Sequence, residues 1–222
     1  MKKLLLSFCF ISSVAFAQDS KFLVGINTAS VWNSYLFRKH DAFLFDSRIN
    51  LNVGIQSKYF LNKKFWIDAQ LNYATKNFGS GIDFSYFVYV DPNDPAVSQG
   101  NSRYNVRQNY FEIPISLNYS FTSEKPVNFF CSLGFTNSFL LSARATTSYN
   151  GSSDVGERYK SYLMSIRPGL GILFPMGKGF YGSAECYGNI YPENVYNESS
   201  FIKGNPFQLA LGFSVLKKLG KA

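Results

Sequence analysis

From Ile49 onward the chain alternates. Ile49, Leu51, Val53, Ile55 and Tyr59 take odd positions, with Asn50, Asn52, Gly54, Gln56 and Lys58 between them. After a break at "LNKK" (61–64) the odd positions are apolar again at Phe65, Ile67, Ala69, Leu71 and Tyr73, against Asp68, Gln70, Asn72 and Lys76 on the even side. A period of two marks a strand whose two faces meet unlike surroundings. The same reading predicts eight strands, at about 22–33, 48–60, 65–77, 103–121, 128–142, 160–174, 179–190 and 205–217. No segment after residue 17 keeps a helical period. "GIDFSYFVYV" (81–90) reads as a β-extension of the third strand or a loop hairpin rather than a ninth barrel strand.

The connections sort by length. Even-numbered joints are short: "LNKK" (61–64), "TSEKPVN" (122–128) and "PMGKG" (175–179). Odd-numbered joints are long, at about 34–47, 78–102, 143–159 and 191–204. Long-short alternation is the trace of an up-and-down meander with its tight turns at one end, as in barrels that cross an outer membrane. Alternation alone also fits a secreted barrel with an apolar ligand cavity, and three features separate the two. The polar face is mostly uncharged, with Asn27, Asn50, Asn52, Gln56, Gln70, Asn72, Gln108, Ser116, Asn118 and Gln208; a water-facing surface carries more Lys and Glu. Aromatics bracket each short turn: Tyr59, Phe60, Phe65 and Trp66; Tyr119, Phe121, Phe129 and Phe130; Phe174, Phe180 and Tyr181. This pattern reads as an interfacial girdle. Finally, about ten residues at about 3.3 Å, tilted roughly 40°, span the apolar band of about 25 Å.

The expected fold is therefore all-β: an eight-stranded antiparallel up-and-down transmembrane β-barrel. Phe111, Ile113, Ile115, Leu117 and Tyr119 face lipid in the fourth strand, with Glu112, Ser116 and Asn118 inward. In the sixth, Ile166, Leu170, Ile172 and Phe174 face lipid, with Arg167, Gly169 and Gly171 inward; in the eighth, Phe207, Leu209, Leu211, Phe213 and Val215 face out. Pro114 and Pro168 each remove a ladder donor, which predicts a bulge or local irregularity.

Composition refines the picture. Residues 1–17, "MKKLLLSFCFISSVAFA", pair two lysines with a short apolar run and an Ala-Phe-Ala site, a secretory signal peptide; residues 18–222 form one barrel domain. Phe8 before Cys9 and the continuing apolar run argue against a lipoprotein leader. Losing Lys2 and Lys3 with the leader takes the formal net charge from +8 to +6. The basic residues are scattered, which suits solvated loops and anionic lipid head groups and offers nucleic acid no patch. Outer-membrane lipid is thus the expected partner. Cys131 and Cys186 form no C-x-x-C pair and fall on lipid-facing positions of non-neighbouring strands, so inert buried thiols are expected and a disulfide is not.

At "YFEIPISLNY" (110–119) the chain resembles the outer-membrane β-barrel family of Bacteroidota often termed PorT-like. "SLGFTNSFLLSAR" (132–144), "PGLGILFPMGKGFYGSAECYG" and "FQLALGFSVL" are similar to its following strands, so the resemblance covers nearly all of residues 18–222. It implies an integral outer-membrane barrel with no assigned activity. The family's name-giving member serves a protein-secretion pathway, a role the resemblance does not carry to this chain. The ending "LKKLGKA" departs from the terminal aromatic many barrels use for assembly, leaving Phe213 or Leu216 to stand in.

Chemistry is sparse. An eight-stranded barrel is filled by its own side chains, and unpaired charges there are costly. Arg48, Lys58, Asp68, Glu112, Arg167 and Glu185 fall on the inward parity. They predict a lumen ion-pair network with Glu112 and Arg167 central; the alternative is that each charge reaches water at a barrel end. No catalytic, cofactor or metal residues are assigned, and no enzyme is expected. His40 with Asp41 in "FRKHDAF" lacks a relay geometry, and "DPNDP" with Asp91, Asn93 and Asp94 lacks the full spacing of a calcium loop. The loops "YFVYVDPNDPAVSQGNSRYN" and "TTSYNGSSDVGERYK" carry Tyr, Asn, Ser and Gly suited to adaptable contacts. The function expected is a structural or surface-interaction barrel contacting a partner through loops 78–102 and 143–159. A transport or secretion accessory, and a secreted soluble barrel holding an apolar ligand, are the alternatives.

Overall fold

The computed structural model describes residues 21–35, 43–47, 49–82, 103–122, 126–147, 151–193 and 206–219. Its strands are β1 (Phe22–Tyr35), β2 (Phe43–Ser47), β3 (Ile49–Phe60), β4 (Phe65–Ile82), β5 (Arg103–Ser120), β6 (Asn128–Thr147), β7 (Gly151–Asp154), β8 (Tyr162–Gly177), β9 (Phe180–Ile190) and β10 (Pro206–Leu219). Eight of them pair antiparallel in the order β1-β3-β4-β5-β6-β8-β9-β10, and β10 returns to β1 with Phe22 opposite Leu219. The sheet is thus a closed eight-stranded cylinder. β2 and β7 are short strands added at the long-connection end, β2 on β4 and β7 on β6.

The turns have local causes. At 61–64 the Asn62 side-chain oxygen accepts the backbone N–H groups of Lys64 and Phe65 at 2.8 and 2.9 Å, closing the β3–β4 hairpin. The β8–β9 turn runs Gly177 (φ 91°), Lys178 (φ 50°) and Gly179 (φ 76°). Two glycines bear most of this left-handed stretch because they carry no Cβ to clash.

Parity holds around the wall. Leu51 and Ile55 are 57% and 55% exposed, while Asn52 and Gln56 between them are each 3% exposed. Leu117, Leu133, Ile166, Leu170, Leu211 and Phe213 are likewise exposed on the outer face. The greasy side therefore points out and the amide side in, which rules out a barrel with an apolar ligand cavity.

Several details differ from the sequence reading. β4 and β6 run five residues further than expected, to Ile82 and Thr147. Beyond the membrane both faces meet water, so alternation no longer signals where pairing stops. Residues 83–90 lie outside the described residues, as do the leader, Arg48, His40 and the 91–95 segment. At Pro114 the expected irregularity is a gap and not a bulge: the β4–β5 register is the same at Ala69/Ile115 and Asn72/Glu112, with the two positions between left out of the ladder. Pro168 gives the same gap between β8 and β9. The register shifts instead at Asn109/Tyr110 and at Pro175/Gly177. Cys131 and Cys186 are free; both sit opposite Leu170, one from each neighbouring strand. Cys131 is half-buried and Cys186 exposed on the lipid side, so neither thiol is packed inside protein as expected.

Candidate functional site

The lumen is layered, and each layer follows from which residues the inward parity delivers at that height. At the short-turn end Leu23, Trp66, Phe130, Leu173 and Leu216 form a buried apolar plug, with Phe60 and Tyr181 packed against it. Trp66 stacks edge-on to Phe130 with ring centroids 5.1 Å apart. This corrects the girdle expectation: Phe60, Trp66, Phe130 and Tyr181 belong to the interior seal. The outward aromatics are a narrower set, with Phe22 against Tyr59 and Tyr119 between Phe65 and Phe121. Phe121, Phe129 and Phe180 are exposed among them.

Above the plug lies a polar layer. Lys58 on β3 and Asp68 on β4 are register partners and form an ion pair, both almost fully buried. Gln56 donates to the same carboxylate at 2.6 Å, and the Lys58 ammonium stands 5.6 Å from the Phe130 ring, joining the layer to the plug. Arg167 bonds Glu185 at 3.1 Å, sits over the Tyr187 ring with its guanidinium carbon 3.6 Å from the centroid and reaches Gln70 at 3.5 Å. Ser132 completes the Glu185 carboxylate at 2.7 Å. Asn27 donates to Gln70 at 2.9 Å and to Asn72 at 3.0 Å, and Asn72 donates to Gln70 at 3.1 Å.

Higher still, Glu112 pairs with Lys76 at 2.8 Å and accepts from Ser138 at 3.0 Å and Asn52 at 3.4 Å. The Lys76 ammonium also donates to Tyr191 at 2.6 Å and sits over the rings of Tyr110 and Tyr191 at 4.4 and 4.7 Å. Tyr191 in turn donates to Gln208, which donates to Asn33. Of the six charges expected inside, Lys58, Asp68, Glu112 and Arg167 are buried here, Glu185 is partly buried against Arg167, and Arg48 lies outside the described residues. Glu112 and Arg167 belong to separate ion pairs. Lys76, which alternation placed on the polar side, is the partner the sequence reading omitted.

A second seal closes the long-connection end. Ala74, Val106, Tyr110, Ala143, Ala145, Leu163 and Tyr191 from the wall bury Val155 and Tyr159 from the β7–β8 connection. That connection is held by the Val155 N–H to Ala143 carbonyl bond and by a single-turn 3-10 helix at Gly156–Arg158. Beside it Lys160 pairs with Glu193 at 2.6 Å in the open. The hydrogen bond from Lys160, then its charge, holds the Glu193 carboxyl below its ordinary value.

Chemically, this interior can hold charge and exclude solvent. Among the described residues no three His, Cys, Asp or Glu side chains gather as metal ligands. A cavity of about 10 Å³ between Asn27, Gln56, Gln70, Arg167, Glu185 and Tyr187 has room for about one water.

No curated protein sequence matches the chain. Among solved structures, the barrel is similar to Neisserial surface protein A, with 16% identity, TM-score 0.50, and 89% of this chain covering 96% of that one. The attachment invasion locus protein Ail of Yersinia pestis has 12% identity and TM-score 0.45, covering 88% and 97% of the two chains. OprG of Pseudomonas aeruginosa has 10% identity and TM-score 0.46, covering 90% and 94%. At such identities the likeness to the Neisserial protein speaks for the fold alone. A model of the outer membrane protein beta-barrel domain matches residues 16–192, most of the length, and the chain belongs to that family of outer-membrane barrels.

Proposed function

We propose that this outer-membrane barrel is a closed, non-conducting scaffold that acts at the cell surface through its long connections. On this reading residues 1–17 are its cleaved export signal, and the likeness of "YFEIPISLNY" to the PorT-like barrels of Bacteroidota supports a place among them. The observation that carries the reading is the double seal. The Trp66/Phe130 plug and the Tyr110/Tyr191/Tyr159 cluster bracket a lumen whose buried charges are paired, so an ion would have to break an apolar packing at both ends. Dewetted constrictions of this kind bar permeation. The extended strands β4 and β6, with β2 and β7 added, hold the bases of connections 78–102 and 143–159 as rigid hairpin stems, a platform for contact with a surface or envelope partner.

Planar-bilayer recording tests the scaffold reading. Reconstituted protein is expected to leave the membrane electrically silent. Steady unitary conductance would sink it in favour of a transport or secretion accessory. Deleting the apex of each connection in turn, and scoring binding to whole cells and envelope fractions, locates the contact.

A further inference from the structure

We propose that the outer wall of β5 and β6 carries a binding site for the phosphate of an anionic lipid head group, built from Arg107 and Arg144. The two are register partners on adjacent strands and both are exposed on the lipid-side face. Cross-strand neighbours on one face have Cβ atoms about 5 Å apart, and like charges so placed repel. Among the described residues neither guanidinium has a hydrogen bond or ion pair. The row continues to Asn77 on β4 and Asp154 on β7. Asp154 is the acid nearest by register, and one of its oxygens already accepts the Gly156 N–H at 2.9 Å. A wall that sets two unpaired arginines side by side is complementary to an anion that can bridge them. Guanidinium forks match phosphate oxygens in that geometry.

The height of the pair says which phosphate. On β5 the run from Tyr119 to Arg107, at about 3.3 Å per residue and a tilt of roughly 40°, rises about 30 Å, the thickness of a hydrocarbon core. Tyr119 belongs to the outward aromatics of the short-turn rim, so Arg107 stands at head-group depth in the opposite leaflet. Directly below the arginines come Asn109 and Ser142, bonded to each other at 3.0 Å, and then exposed Phe111, Phe139 and Leu141. Acyl chains lie against that lower patch while the head-group phosphate meets the two forks. The proposal rests on the reading above that long connections face outward, which makes the lipid a phosphorylated glycolipid of the outer leaflet.

Native mass spectrometry of the full barrel in non-ionic detergent tests the site. The probes are diphosphorylated lipid A, the same lipid dephosphorylated, and inorganic phosphate. Wild type is expected to bind the phosphorylated lipid about tenfold more tightly than the dephosphorylated one, the size of losing one or two charge-assisted bonds. R107Q/R144Q should lose that preference, and K63Q/K64Q at the short-turn rim should keep it. Heat-modified gel mobility checks that each variant is folded. Equal preference in wild type and R107Q/R144Q would overturn the site. Inorganic phosphate competing as well as lipid would overturn the assignment to a lipid. Because binding in detergent does not depend on orientation, a failure here is distinguishable from a failure of the outward-loop reading, which surface protease accessibility in cells reports.

Discussion

Glu112 shows what one buried charge demands. Its carboxylate is tied to Lys76, Ser138 and Asn52, and the Lys76 ammonium is held in turn by Tyr191 and two aromatic faces. Neutralising Glu112 leaves that ammonium buried without its counter-charge, a loss of about 3–5 kcal/mol where one partner of a buried pair is removed. E112Q is therefore expected to lower the unfolding midpoint in detergent markedly, and an unchanged midpoint would refute the argument. The double variant E112M/K76M should recover most of the loss, because removing both charges removes the desolvation cost with the attraction. Inward parity made Glu112, Lys58 and Arg167 legible as lumen residues. Asp68 and Glu185 were legible in the same way; which charge pairs with which was not, since pairing depends on how neighbouring strands are staggered, which period-two alternation does not encode. Trp66 and Phe130 failed for another reason. Their even parity points inward, and a position beside a turn suits an interior plug as well as an outer girdle, so the turn does not tell the two apart.

At the scale of a strand, lipid and lumen impose opposite rules on adjacent residues. On β3, Ile55 is at mid-height on the outer face, paired with Leu71 and Ile26, whereas Ile49 is at the long-connection end opposite Trp32. An arginine at the bilayer midplane of a barrel costs about 2–4 kcal/mol, falling to about 0–1 near the interface. I55R should thus destabilise the refolded protein in lipid vesicles much more than I49R, as read by denaturant unfolding. Equal costs would mean the apolar band is placed elsewhere. The closing seam has its own constraint. A Cβ on Gly25 would come within 1.9 Å of the Val215 carbonyl oxygen on β10. Backbone cannot yield as a side-chain tip can, so G25V is expected to prevent formation of the compact, heat-modifiable species on gels. The eight strands themselves were legible because a wet lumen and an oily exterior force a different residue class at each step. Their outer ends were not, because above the membrane both sides are wet.

For the whole molecule, the two seals act in series. Removing the lower one with W66A/F130A is expected to cost several kcal/mol of stability, as large-to-small changes in a packed core do. It should still leave bilayers silent, because the ion-paired layer and the Tyr159 cluster remain above it; steady current from that variant would mean the upper packing does not seal. Closure of the cylinder carries one more consequence. Since Phe22 lies across from Leu219, the opening and final strands share a seam and finish at the same rim, the one with the short turns. A reporter attached at either extremity of the barrel would therefore emerge in the same compartment, and neither attachment would crowd the surface that the long hairpins display.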